Sequence, residues 1–283
     1  TGNLEEYIAD DIHTAFPTLA YTERPDRFSA GVVEGRVGLL IDGLPLGWLL
    51  PGTLSQFFKT PQDKSQGWMA ASALMVLRYL CMLITLFLPA VYIAAVTFHL
   101  EMLPTELALS IIAAKQDVPF TTVFEVLLML VAFEIIQEAG LRLPSSIGQT
   151  VSILGGLVVG SAAVEARIVS PAVLIVVAVA GIAGYTMPSQ DFAGALRIWR
   201  FGLAALASLA GMFGAAIGAL LLICHLASLE SFGVAYLTPF AANDGEQVEG
   251  HAVIRQPLPS VKLREAALKT QNRRNPVSYT HLT

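Results

Sequence analysis

No charged side chain occurs over Tyr79–Phe98, over Ile168–Gln190 or over Phe201–Cys224. Each meets the roughly 18–20 residues that a helix needs to cross the hydrocarbon core of a bilayer. A soluble core can hide one helix that is apolar all round, but hardly three. Only 14% of the residues are charged and 54% are hydrophobic, against roughly 25% charged in soluble domains. The sequence therefore predicts an α-helical integral membrane protein.

The polar residues lie at the ends. Residues 1–68 read as the last part of a soluble α/β or α+β cytoplasmic domain, 69–240 as the membrane domain and 241–276 as a basic cytoplasmic tail. The opening TGNLEEYIADD lacks Met, so more chain is expected upstream. VSYTHLT (277–283) breaks the pattern of the tail and is expected to be non-native. Within the soluble part, RVGLLIDGLPLGWLL (36–50) places two apolar runs around Asp42-Gly43, which predicts a hairpin with a type I′ turn. Pro45 lacks a ladder donor and points to an edge position.

Four spans are expected. The first is Met69–Phe98, with Arg78 in its opening turns and Pro89 inside, and a connector with a short helix follows over 99–119. The other spans are Phe120–Gln137, Ile168–Gln190 and Phe201–Cys224. Between the second and third lies SIGQTVSILGGLVVGSAAV (146–164), in which Gly148, Ser152, Gly156 and Gly160 recur every four residues. Such stripes let helix backbones approach closely in lipid. The last span carries a second stripe, Ala207, Gly211 and Ala215, with Gly214 and Gly218 offset from it.

Charge decides how 146–164 is read. If all five segments cross, Lys and Arg divide nine to eight between the two sides. If 146–164 dips in and returns, the division is fourteen to three, with both ends cytoplasmic. The positive-inside rule favours the second arrangement, so a glycine-rich re-entrant segment is predicted.

The second span keeps Glu125, Glu134 and Glu138. Only VLLMLVAF separates the first two carboxylates, about 12 Å of helix, far short of the roughly 30 Å of a hydrocarbon core. At least one must therefore lie within the membrane and face protein or water. A carboxylate there costs on the order of 2.5–3.5 kcal/mol on insertion scales. Either it serves an ion path or proton relay, or it is held by a neighbouring Arg or caps a tilted helix near the interface. Glu125 and Glu134, with Gln149 at the mouth of the glycine segment, are the candidate ion-path residues; Glu138 is expected to pair with Arg142 four residues on. Gln149 can also serve as a hydrogen bond between helices.

Cys81 and Cys224 both fall in apolar spans and read as free thiols. The histidines show no metal-ligand spacing, and no phosphate-binding, nucleophile-elbow or dinucleotide motif occurs. No enzyme, cofactor or nucleic-acid partner is expected; membrane lipid is.

Long motifs then narrow the reading. TERPDR (22–27), EGRV (34–37), DVPF (117–120), QEAGLRLPSSIGQTVSILGGLVVGSAAV (137–164), IVSPA (168–172), SFGVAYLTPF (231–240) and QNRR (271–274) resemble the GerA family of spore germination proteins. The family includes the A subunit of nutrient germinant receptors and a related stage V sporulation protein. Ser161 and Leu44 stand where the family often has Gln and Thr. The resemblance implies a multi-pass protein of the inner spore membrane of an endospore-forming bacterium, forming homo-oligomers and working with a transporter-like B subunit and a C lipoprotein. It also implies a nutrient-gated ion channel. A non-conducting scaffold and a secondary-transporter-like subunit remain the alternatives; the latter calls for two matching halves with broken helices, and no internal repeat is visible.

Overall fold

The computed structural model describes residues 2–142, 155–156, 158–240, 253–255, 257, 264, 268 and 270–272. Gly148, Gln149, Ser152, most of the basic tail and residues 277–283 lie outside the described residues. Helices dominate. The chain divides into two compact units, one of residues 1–80, 187–195 and 222–283, the other of residues 81–186 and 196–221.

The first unit opens with helix α1 (Gly2–Ile8), strand β1 (Ala20–Thr22), helix α2 (Pro25–Glu34) and strands β2 (Val37–Leu40) and β3 (Gly47–Leu50). The strands form an antiparallel sheet in the order β1-β3-β2, with Tyr21 opposite Trp48 and Leu40 opposite Gly47. β3 is central and fully buried, whereas β2 is an edge. Pro25 starts α2 at a position where no amide donor is needed. Gly35, at φ 104°, ends the helix in the left-handed conformation and returns amide bonds to its last turn. Gly38 and Gly47 let the Phe28 ring lie flat on the sheet, since a Cβ on either would come 2.5 Å from it.

The β2–β3 connection differs from the two-residue turn expected at Asp42-Gly43. Six residues join the strands, and a hydrogen bond from the Leu44 amide to the Ile41 carbonyl (3.2 Å) closes a turn inside them. Only Gly43 has positive φ (80°). That is the pattern of a type II turn rather than type I′. Pro45 has no amide to give the ladder, so the strands part before reaching it. The predicted kind of turn occurs elsewhere: Phe232 and Gly233, both at positive φ, join β4 (Glu230–Ser231) to β5 (Val234–Ala235).

Short helices α3 (Leu54–Phe58) and α4 (Pro61–Ser65) lead into the long helix α5 (Trp68–Phe98). Phe16, Phe57, Phe58, Phe192 and Tyr236 form an aromatic cluster in this unit, with Phe57 and Phe192 stacked at 5.8 Å. Ser231 is fully buried; its Oγ donates to the Thr18 carbonyl and accepts from the Gly52 amide.

Arg78, in the opening turns of α5, forks onto Asp63 with hydrogen bonds of 2.7 and 2.9 Å. Burial works to raise the Asp63 pKa, but the bonds from Arg78 and the Thr60 amide, with the Arg78 charge, hold it below its ordinary value of 3.8. A carboxylate with a depressed folded pKa adds stability above its unfolded pKa and loses it as pH falls through the folded one. Asp63→Ala should therefore destabilise the first unit by about 3 kcal/mol at neutral pH, because Arg78 is left buried without its partner. The deficit should shrink below about pH 4. Thermal melts of both proteins across pH check this; equal melting points at pH 7 would contradict it.

In the second unit, α5 continues to Phe98, followed by a short 3₁₀ turn (Leu100–Met102), α6 (Thr105–Lys115) and α7 (Thr122–Arg142). Next come a helical run over residues 158–165 (α8), α9 (Pro171–Gly184) and α10 (Gln190–Ser228). Before α10 begins at Gln190, the stretch from Ile168 is helical only over the 14 residues of α9, because Pro171 sets its first turn and Pro188 disfavours helix in the residue before it. By length and composition α5 and α10 could cross a bilayer.

α10 is not one rod. Ala210 (φ −133°, ψ 17°) and Gly211 (φ 60°, ψ −138°) leave helical geometry, the latter in a region open essentially to glycine alone. Beyond the break the chain returns on itself. A Cβ on Gly214 would overlap the Leu206 carbonyl, and one on Gly218 would lie 2.6 Å from the Leu203 side chain. On a straight helix these pairs would be about 12 and 22 Å apart. The single span predicted over Phe201–Cys224 is replaced by a tight helical hairpin, in which Gly214 and Gly218 form the closest contact. Hydropathy does not register the reversal because no charged residue marks it.

The direction of each element follows from its contacts. Thr85 on α5 donates to the Ala180 carbonyl near the end of α9 (3.2 Å), while Tyr92, further along α5, hydrogen-bonds to Ser170 at the start of α9. α9 therefore runs antiparallel to α5. It runs parallel to α7: Ser170 meets Glu125, and further along Gly181 lies beside Phe133 and Gln137. Between them the described glycine-rich residues go the other way. Gly155 faces Ile136, Gly156 faces Phe133 and Gly160 faces Leu174.

The run then ends at Arg167, which pairs with Asp117 (3.2 Å) just before α7. This part does not turn back toward the end of α7, as a re-entrant segment must. Charge counting suggested a return because it treated α10 as a single helix. The tip at Gly211 lies against Phe98 and His99 at the far end of α5. Cys81 is buried and Cys224 is exposed, both as free thiols.

Candidate functional site

Two clusters of charged residues in the apolar second unit are centred on α7. Glu125, one turn into the helix, is fully buried. Its Oε2 accepts a 2.8 Å hydrogen bond from the Ser170 amide, at the N-cap of α9. A carboxylate there caps an orphan donor and meets the positive end of the helix dipole. Its Oε1 has no hydrogen-bond partner, and the Lys115 ammonium stands 3.6 Å away. Lys115 itself donates to Thr122 Oγ1. Thr122, which shares the helical face of Glu125, is buried with it. α5, α6, α7 and α9 thus meet around one negative charge.

The second cluster surrounds Glu134. Arg197 reaches Oε1 at 2.6 Å and Arg200 reaches Oε2 at 3.3 Å. Both arginines come from the first limb of the α10 hairpin. Arg200 is 2% exposed and its Nε has no hydrogen-bond partner, while its guanidinium stands 5.7 Å from the Phe201 ring centre.

Two of the three predicted ion-path residues can be placed. Glu125 and Glu134 sit in separate clusters on one helix, each beside basic side chains. Gln149 lies outside the described residues. So does the side chain of Arg142, and with it the expected Glu138–Arg142 pair. Of the first stripe, Gly156 lies 3.8 Å from Phe133 and Gly160 2.7 Å from Leu174, counted from an added Cβ. Among the described residues no group of three or more His, Cys, Asp or Glu could hold a metal ion.

Sequence reasoning counted Lys115, Arg197 and Arg200 only as topology markers and passed over Tyr92 and Ser170. One signal was available. The arginines at 197 and 200 lie three residues apart on one helical face just before an uncharged run, which places two guanidiniums side by side. The outer faces of the helices stay apolar: Ile175, Ile182, Leu209, Phe213 and Leu220 are each 60–78% exposed. Surfaces of that kind mark contact with lipid or protein.

The sequence matches a family described as Bacillus/Clostridium GerA spore germination protein over residues 1–267. It is 43% identical to spore germination protein B1 of Bacillus subtilis (strain 168), over 93% of this chain and 54% of that protein. It is 42% identical to spore germination protein KA of the same organism, over 91% and 47%. With spore germination protein A1 it shares 41% identity, over 84% and 50%. The chain thus spans about half the length of these relatives. No solved structure matches. By the extent of these matches, the chain belongs to the GerA family of spore germination proteins.

Proposed function

We propose that this chain is the membrane-embedded part of a germinant-receptor A-type subunit, which oligomerises into a nutrient-gated cation channel and triggers spore germination. The observation that carries the reading is Glu125: a fully buried carboxylate, one oxygen without a hydrogen bond, among the packed apolar helices of the second unit. Repeated around an oligomer axis, such a group forms a ring of negative potential of the kind that selects cations. The transporter-like B subunit and the C lipoprotein implied by the family resemblance would be its partners in the inner spore membrane.

A second reading has its own observation. Glu125 also caps α9 and faces Lys115, so it suits a non-conducting scaffold in which the charge only fastens helices. Ion flux from liposomes holding the purified full-length oligomer separates the two. A channel releases cations when the nutrient is added; a scaffold leaves the liposomes sealed.

The membrane arrangement follows from the same elements. In this reading α5, α7, the run that includes α8, α9 and the two limbs of α10 pass six times from one side to the other, several of them shorter than a lipid-exposed span, and leave both ends on the cytoplasmic side. Only Lys115 and Arg167 of the 17 Lys and Arg are then outside, a division of fifteen to two. This satisfies the positive-inside rule better than four spans with a re-entrant loop. Single cysteines at Asn3, Ser189 and Asn243, in a background without Cys81 and Cys224, should resist a membrane-impermeant thiol reagent in intact cells. A cysteine at Arg167 should react. Labelling at 189 with protection at 167 would restore the re-entrant topology.

A further inference from the structure

The Glu134 cluster is not electrically balanced. Among the ion pairs of the described residues two guanidiniums face one carboxylate, a net charge of +1 for those three groups. Arg200 touches Glu134 through one nitrogen, at 3.3 Å, and its Nε is sealed from solvent without an acceptor. Burying such a group unpaired costs about 1–3 kcal/mol, and more when it is charged. Arg197 and Glu134 are 21% and 29% exposed, so one side of the cluster is open to an incoming group.

We infer that Arg197 and Arg200 form a binding site for a phosphate-type anion, with Glu134 holding the two guanidiniums in position. Guanidinium groups suit this chemistry because their planar forks match phosphate oxygens. The place fits as well. Both arginines belong to the basic side of the fifteen-to-two division, and basic pockets between helices on the cytoplasmic side bind anionic headgroups. The phosphate could belong to a lipid headgroup or be free in the cytoplasm; the site chemistry is the same. The inference does not depend on the channel reading, since a scaffold could bind the same anion.

The test uses the delipidated full-length protein in detergent, with binding followed by native mass spectrometry and thermal shift. The probes are phosphatidylglycerol, phosphatidylcholine and inorganic phosphate. Phosphatidylglycerol should bind more tightly than phosphatidylcholine, and Arg200→Gln should weaken it about fivefold, the factor one basic side chain contributes at an anionic surface. Glu134→Gln should tighten anion binding, because it raises the cluster charge from +1 to +2. A merely structural ion pair gives no such gain. Displacement of phosphatidylglycerol by inorganic phosphate identifies a soluble anion as the occupant; retention identifies the headgroup.

If Arg200→Gln fails to fold, Arg197→Gln and Glu134→Gln carry the test through their opposite signs. Equal affinity for all three probes, or unchanged binding in the folded variants, overturns the site.

Discussion

Gly214→Ala is expected to open the α10 hairpin and to lower the stability of the purified protein by about 3 kcal/mol or more, the upper end of ordinary overpacking. The methyl group would overlap the Leu206 carbonyl and sit 2.7 Å from its carbon. Both atoms are backbone, so no rotamer change can make room. Gly218→Ala meets only the end of the Leu203 side chain, at 2.6 Å, and that chain can turn away. Its effect should be well under half as large. Gly211→Ala should fall between them, because its φ of 60° disfavours any Cβ and the His99 ring lies 2.9 Å away.

Melting temperatures of the three variants in detergent check the order. The reversal has a direct test. Cysteines at Leu203 and Gly218 should form a disulfide, which needs Cα atoms within about 7 Å. A continuous helix would hold them about 22 Å apart. Failure to cross-link, together with a normal melting point for Gly214→Ala, would mean that α10 is a single rod.

The second large effect concerns Glu125. Gln in its place keeps an oxygen for the Ser170 amide and deletes the charge that faces Lys115. Lys115 is 29% exposed, so its ammonium can find water and the protein should still assemble. Cation flux per assembled complex should fall on the order of tenfold, the lower end of what field focusing contributes. Glu134→Gln should reduce flux less, because Arg197 and Arg200 already outweigh that carboxylate. Glu138→Gln, at an exposed position near the helix end, should be nearly silent. Lost assembly with unchanged flux per complex would make Glu125 a fastening point and move the channel wall elsewhere. Unchanged flux and assembly in all three variants would leave the carboxylates as interfacial anchors.

A wheel drawn on residues 120–140 already separates Glu125 from Glu134, because helical phase follows from spacing alone. It cannot name their partners. Lys115 is ten residues from Glu125, Ser170 is 45 residues away, and Arg197 is 63 residues from Glu134. Such contacts exist only once helices have packed. Glu125 was therefore legible as a buried carboxylate but not as the cap of α9.

By itself the sequence determined that this is a helical chain with long uncharged stretches and small-residue stripes, and that carboxylates sit where lipid would reject them. Those properties depend on composition and local periodicity. Tertiary structure alone decided where the chain reverses. One glycine torsion at Gly211 and the contact of Gly214 with Leu206 turn an apparent 39-residue helix into two limbs. Reversal within an apolar run carries no hydropathy signal, because both limbs face the same surroundings. Where the chain turns back on itself therefore rests on backbone geometry that the residue pattern leaves open.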